Sequence, residues 1–122
     1  MFSTIPDEVN LLDCTLRDGG YYTDWDFAPG LVSDYIATIN ALPVRMVELG
    51  LAGKPESRGY FASMTSSKAE QVAADLSVDA CVMIDAKDVY AGELPIRLAV
   101  DHLIEGLLPG CITTVRVAAH YS

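Results

Sequence analysis

Basic residues are scarce in this 122-residue chain: 8 Lys and Arg stand against 17 Asp and Glu, a formal charge of −9. An acidic domain repels phosphate backbones, which excludes nucleic acid as the expected partner. Long apolar runs are missing as well. The longest, Ala80 to Ile84, falls far short of the roughly 20 residues that span a bilayer, and Met1 to Glu8 lacks the basic and apolar regions of a signal peptide. No membrane is therefore expected, and the location read from these absences is cytoplasmic. Cysteine is sparse and odd in number: Cys14, Cys81 and Cys111 are widely spaced, with no CxxC between them. That pattern excludes a disulfide framework or a zinc knuckle and leaves each thiol as a small buried apolar group. Low-complexity tracts, charge blocks and linker-like stretches are also absent, so no second domain is expected.

What is present suits a packed core. Hydrophobic residues make up 51% of the chain and the mean hydropathy is +0.26. Four short, β-branched runs, Val9–Asp13, Met46–Leu49, Ala80–Ile84 and Ile112–Val117, have strand length and little alternation, as strands covered on both faces do. Leu31, Val32, Tyr35, Ile36, Ile39 and Leu42 recur at helical spacing between Pro29 and Pro43. Ser67 and Glu70 form a capping-box pattern that opens a helix through Ala74 and Leu76. A third helix is expected from Pro95 to Leu107, before Pro109 and Gly110.

The order β-α-β-α-β-α-β, at the spacing of one βα unit, predicts an α/β fold with parallel strands joined by right-handed crossovers. Two architectures fit: a small doubly wound sheet, or a consecutive piece of a (β/α)8 barrel. A complete barrel needs about 250 residues. Residues 1–122 therefore read as a single partial (β/α) barrel domain, β1-α1-β2-α2-β3-α3-β4, truncated after the fourth strand.

In either architecture the site lies beyond the carboxyl ends of the strands. The first strand ends in Leu12-Asp13-Cys14-Thr15-Leu16-Arg17-Asp18-Gly19-Gly20-Tyr21-Tyr22. Here a permanent cation suited to a planar carboxylate or an enolate oxygen sits beside a hard oxygen ligand for Mg2+ or Mn2+. Two glycines follow, permitting a tight turn and close approach of a ligand. The same residues also read as a turn with a surface ion pair. Tyr21 to Phe27 is aromatic and acidic, either a lid or rings packed over the site. Gly50-Leu51-Ala52-Gly53-Lys54-Pro55 follows the second strand as a phosphate- or carboxylate-admitting loop or a plain one. Asp85 and Lys87 follow the third strand, to line the pocket or to solvate a turn. His120 ends the fourth strand, and Arg116, of the same parity, requires an acidic partner such as Glu48 or Asp85. His102 reads as a surface residue.

Asp13 to Gly20 resembles the D-x-T-L-R-D-G signature of the metal-dependent aldolase and acyltransferase superfamily known as DRE-TIM metallolyases, or HMGL-like enzymes. Val47-Glu48-Leu49-Gly50 is similar to the family's second strand. Val115-Arg116-Val117-Ala118-Ala119-His120 is similar to the fourth strand of its 4-hydroxy-2-oxovalerate aldolase branch. The resemblance implies the first half of a TIM barrel and a metal-dependent carbon-carbon lyase acting on a 2-oxo acid. By position, Asp18 matches the metal-binding aspartate, Arg17 the arginine that stabilises the enolate, and Glu48 the acid that holds that arginine. Mn2+ or Mg2+ is the implied cofactor, with Zn2+ as a further option. Gly19, Gly20, Asp85 and His120 are placed with Arg17 around the substrate.

Two departures stand out. Tyr21 occupies the position of a histidine proposed for proton transfer in the aldolases, and an ordinary phenol, with a pKa near 10, is a poor base at pH 7. The His-x-His pair that completes the family's metal site on the seventh strand has no counterpart, since His102 and His120 lie far apart. The fragment alone is therefore expected to be inactive. Two other readings are an acyl-CoA condensing or cleaving relative, of the isopropylmalate or homocitrate synthase or hydroxymethylglutaryl-CoA lyase type, and a non-catalytic shortened barrel that binds a partner. Open strand edges lead to the further expectation that a half barrel self-associates.

Overall fold

The computed structural model of the chain describes residues 9–52, 59–90, 92–105, 107 and 110–120. Four strands alternate with helices: β1 (Leu12–Asp13), α1 (Thr15–Thr23), α2 (Pro29–Asn40), β2 (Met46–Leu51), a 3-10 turn (Tyr60–Ala62), α3 (Ser66–Ala73), β3 (Asp79–Asp85), α4 (Ala86–Tyr90), α5 (Ile96–Ile104) and β4 (Ile112–Ala118). All three strand pairs are parallel and the sheet order is β1-β2-β3-β4. That order decides between the two expected architectures. A doubly wound sheet reverses direction at a switch point, whereas right-handed crossovers that always step the same way build one consecutive arc of a barrel. The expected α/β half barrel is the observed one.

The core explains why the strands do not alternate. Val47, Leu49, Val82, Ile84 and Ile112 are buried with Ile36 and Ile39 of α2 and Ala69 and Val72 of α3. Each buried aliphatic side chain of this size contributes about 1.5–3 kcal/mol. β2 and β3 are buried almost throughout, because helices cover their outer face and other side chains fill the inner one. β4, an edge strand of the described sheet, is only partly covered, and Val117 is 61% exposed. Among the described residues no helix is long and apolar enough to cross a membrane.

Several sequence expectations are corrected at element ends. The Arg-Asp-Gly-Gly segment is not a tight turn but lies inside helix α1. Asp13 starts it: its carboxylate accepts from the Thr15 backbone N–H at 3.0 Å and from the Thr15 hydroxyl at 3.1 Å, and it also accepts from the Tyr35 hydroxyl of α2. Burial, then the bonded and negatively charged Asp13, push the Tyr35 pKa up. β1 is two residues long, and Val9 and Leu11 before it are exposed. α3 is capped by Thr65, whose Oγ1 accepts from the Lys68 N–H at 3.3 Å, rather than by Ser67. α5 ends at Ile104, short of Leu107. A short helix, α4, occupies the segment after β3 that reads as a polar turn.

Candidate active site

The inner face of the sheet carries a buried carboxylate between two guanidinium groups. Glu48, fully buried on β2, accepts from Arg17 Nε through Oε1 at 2.7 Å. Arg116 of β4 grips the same carboxylate side-on, Nε to Oε2 at 2.6 Å and Nη2 to Oε1 at 2.8 Å. Of the two acids offered by the sequence, Glu48 is thus the partner of Arg116. Burial alone would raise the pKa of Glu48, but the hydrogen bonds and charges of Arg116 and Arg17 outweigh it and hold the carboxyl below its ordinary value. Arg17 is raised despite burial, because Glu48 and then Asp18 favour its charged form.

Two thiols flank this cluster. Cys81 pairs in register with Glu48, and its Sγ lies 3.5 Å from Oε2. Burial and the neighbouring negative charge push its pKa up to about 12. Cys14 lies 4.0 Å from Arg116 Nη2, and burial together with Glu48 raises it against the opposing arginines. Cys81 is fully buried, as the sequence suggests, whereas Cys14 and Cys111 are only half-buried.

At the rim, the Asp18 side chain is 64% exposed and pairs with Arg17 Nη1, whose own side chain is 13% exposed. Tyr21 is exposed and packs edge-to-face on Trp25, with ring centroids 4.7 Å apart. Trp25, in the aromatic and acidic stretch after α1, organises this corner. Its indole N–H donates to the Arg17 carbonyl at 3.0 Å, and its backbone, in the left-handed region at φ 57°, returns an N–H to Gly20 O at 2.9 Å. The ring lies over Gly20, where a Cβ would meet Trp25 Cδ1 at 2.0 Å. Gly20 therefore serves ring packing rather than a turn, and Gly19 faces Phe27 at 3.7 Å. No local sequence signal announces the Gly20 and Trp25 pairing.

Beyond the strand ends lies a cleft of about 190 Å3 that brings together Tyr21, Trp25, Met83, Asp85, Lys87 and His120. It adjoins the arginine cluster through Met83, whose Sδ is 3.8 Å from Arg116 Nη2. Asp85 both lines the cleft and holds the start of α4: its Oδ1 accepts from the Lys87 N–H at 3.0 Å, with Lys87 Nζ 3.8 Å from Oδ2. His102 stands away from the cleft, 65% exposed and 3.9 Å from Glu105. Gly50 belongs to β2, where a Cβ would meet the Phe61 carbonyl at 2.0 Å. Gly53, Lys54 and Pro55 lie outside the described residues.

Among the described residues the donor set for a divalent cation is incomplete. Asp18 offers one carboxylate, shared with Arg17, and among the described residues no three His, Cys, Asp or Glu side chains converge to hold a metal. One carboxylate with water binds such an ion weakly.

No protein-family model matches the sequence, and no curated protein matches it. A solved structure described as the "N-terminal domain of a putative aldolase from Bacteroides vulgatus" is similar over 89% of this chain, with 32% sequence identity and a TM-score of 0.76. The chain spans about a third of that solved chain, covering 35% of its length. Fold and neighbour together define an α/β half barrel similar in fold to that N-terminal domain.

Proposed function

We propose that this chain supplies the arginine, aspartate and glutamate corner of a lyase of the aldolase type acting on a 2-oxo acid. The observation that carries the reading is the presentation of Arg17: a permanent cation at the carboxyl end of β1, fixed by the buried carboxylate of Glu48. A guanidinium held in this way is preorganised for the oxygen on which negative charge develops when a 2-oxo acid enolises, and it needs no rearrangement as that charge forms. The adjoining cleft, with Asp85, His120 and Tyr21 on its walls, is where the rest of the substrate would lie.

A divalent cation belongs to this reading through Asp18, and its other ligands would come from outside the described residues. The test is to locate oxalate, a planar mimic of the pyruvate enolate, on the isotope-labelled chain by NMR in the presence of Mg2+. The reading expects shifts at Arg17, Asp18 and the Asp85 and His120 side of the cleft. Shifts confined to the opposite pole, around Pro43, Arg45 and Ser77, would overturn it.

A further inference from the structure

We propose that Arg116 is a positioning residue that aims Arg17 by locking the far side of Glu48. The role rests on the aldolase-type reading of Arg17. Arg116 sits opposite Met83 in the β3–β4 register and is not among the residues that line the cleft. Its stem crosses the inner face of β3 to reach a carboxylate on β2, so β4 helps to set a side chain that follows β1.

The terminal torsion of a glutamate is broad and roughly two-fold, so a single bond from Arg17 Nε would leave the carboxylate plane free to swing. Arg116 removes that freedom. Its two parallel bonds, 2.6 and 2.8 Å, are the side-on fork that only a guanidinium can make, and they fix the plane of the carboxylate. The Cys81 thiol adds a weak contact at 3.5 Å to Oε2. The acceptor direction left on Oε1 points at Arg17 Nε, 2.7 Å away. Arg17 is then held at Nε, while its Nη1 meets Asp18 at the rim.

Charge supports the same assignment. Glu48 and Arg17 alone would form a neutral buried pair in which Asp18 competes for the same guanidinium. With Arg116 present, Glu48 stays ionised under a second cation. Its hold on Arg17 then does not depend on drawing Arg17 away from Asp18.

The test reads the Arg17 Nε–Hε group by 15N–1H NMR in the full chain, without ligand. Arg116→Met keeps the stem and removes the fork. With backbone amides of β2 and β3 still protected, Hε of Arg17 is expected to exchange with water at least about tenfold faster than in wild type, the loss of one charge-assisted restraint. Exchange within about twofold of wild type would overturn the proposal, since a merely structural arginine leaves Arg17 untouched. Should Arg116→Met not fold, Arg116→Lys restores the charge without the fork. Faster Arg17 exchange in that variant supports the assignment, and wild-type exchange overturns it. Where oxalate binds, Arg17→Ala and the double variant Arg17→Ala/Arg116→Met are expected to share one affinity, because Arg116 acts through Arg17, and additive losses would contradict this. Failure of wild type to bind oxalate would count against the aldolase reading alone, leaving the exchange measurement to decide the role of Arg116.

Discussion

The indole of Trp25 rests on the bare α-carbon of Gly20, so tightly that a methyl group there would stand 2.0 Å from the ring. Alanine in a helix is ordinarily favoured over glycine by about 1 kcal/mol. Here the clash reverses the sign. Gly20→Ala is expected to lose about 1–3 kcal/mol by overpacking and to red-shift the fluorescence of Trp25, the one tryptophan in the chain. Gly30, in α2 with open space around it, supplies the control: Gly30→Ala is expected to be neutral or slightly stabilising. Urea unfolding followed by fluorescence checks both.

Glu48 gives the chain an acid-sensitive element. Its folded pKa is depressed, so its contribution to stability is complete above the unfolded value, about 4.3, and is lost as pH falls through the lower folded value. Glu48→Gln leaves two arginines facing a neutral amide and is expected to cost about 3–5 kcal/mol at pH 7. The gap between wild type and variant should narrow as pH drops below about 4. Urea midpoints at pH 7, 5 and 3.5 measure it, and a gap that widens on acidification would contradict the assigned charge state.

Cys81 should be chemically silent in the folded chain. It is fully buried and its pKa is pushed up to about 12, while the nucleophile in alkylation is the thiolate. Iodoacetamide at pH 8 is expected to label Cys111 well before Cys81 in the native chain and both at comparable rates in urea. Equal native rates would show that the inner layer of the sheet is open.

The uncovered side of β4 predicts association. Val117 is 61% exposed at an edge of the described sheet, and Tyr90, Ile96 and Leu98 of α4 and α5 are also exposed. Unpaired strand edges beside apolar surface favour self-association. Size-exclusion chromatography of the 122-residue chain is expected to show concentration-dependent larger species, reduced by Val117→Lys. A compact monomer at high concentration in both proteins would contradict this.

The fold was largely legible because β2, β3 and β4 grow from short apolar, β-branched stretches with little alternation and α2 carries a full helical repeat between two prolines. α1 was not. Its sequence contains Gly19 and Gly20, each costing about 1 kcal/mol against alanine in a helix. Local propensity therefore reads as a turn, and the restraints that override it come from outside the helix: the Asp13 carboxylate just before it, Trp25 just after it on Gly20, and the long-range pair of Arg17 with Glu48. α3 was misjudged at its start because Thr65 and Ser67 are both plausible caps, and only backbone geometry separates them. At the site, the nearness of Arg17 to Glu48 was expected from resemblance, and parity gave Arg116 an inward direction. The choice of Glu48 over Asp85 as its acid needed the register of β3 on β4, which no single strand encodes.

Whether Arg17 recognises the oxyanion side of a 2-oxo acid is read by calorimetric affinity for oxalate in Mn2+ buffer. Arg17→Ala is expected to weaken oxalate binding about 10- to 100-fold, the loss of a bond to a charged group, while leaving affinity for the metal within about threefold. Asp18→Asn is expected to weaken affinity for the metal and, because oxalate chelates divalent cations, to weaken oxalate binding in Mn2+ buffer with it. Oxalate bound by Arg17→Ala as tightly as by wild type would contradict the account.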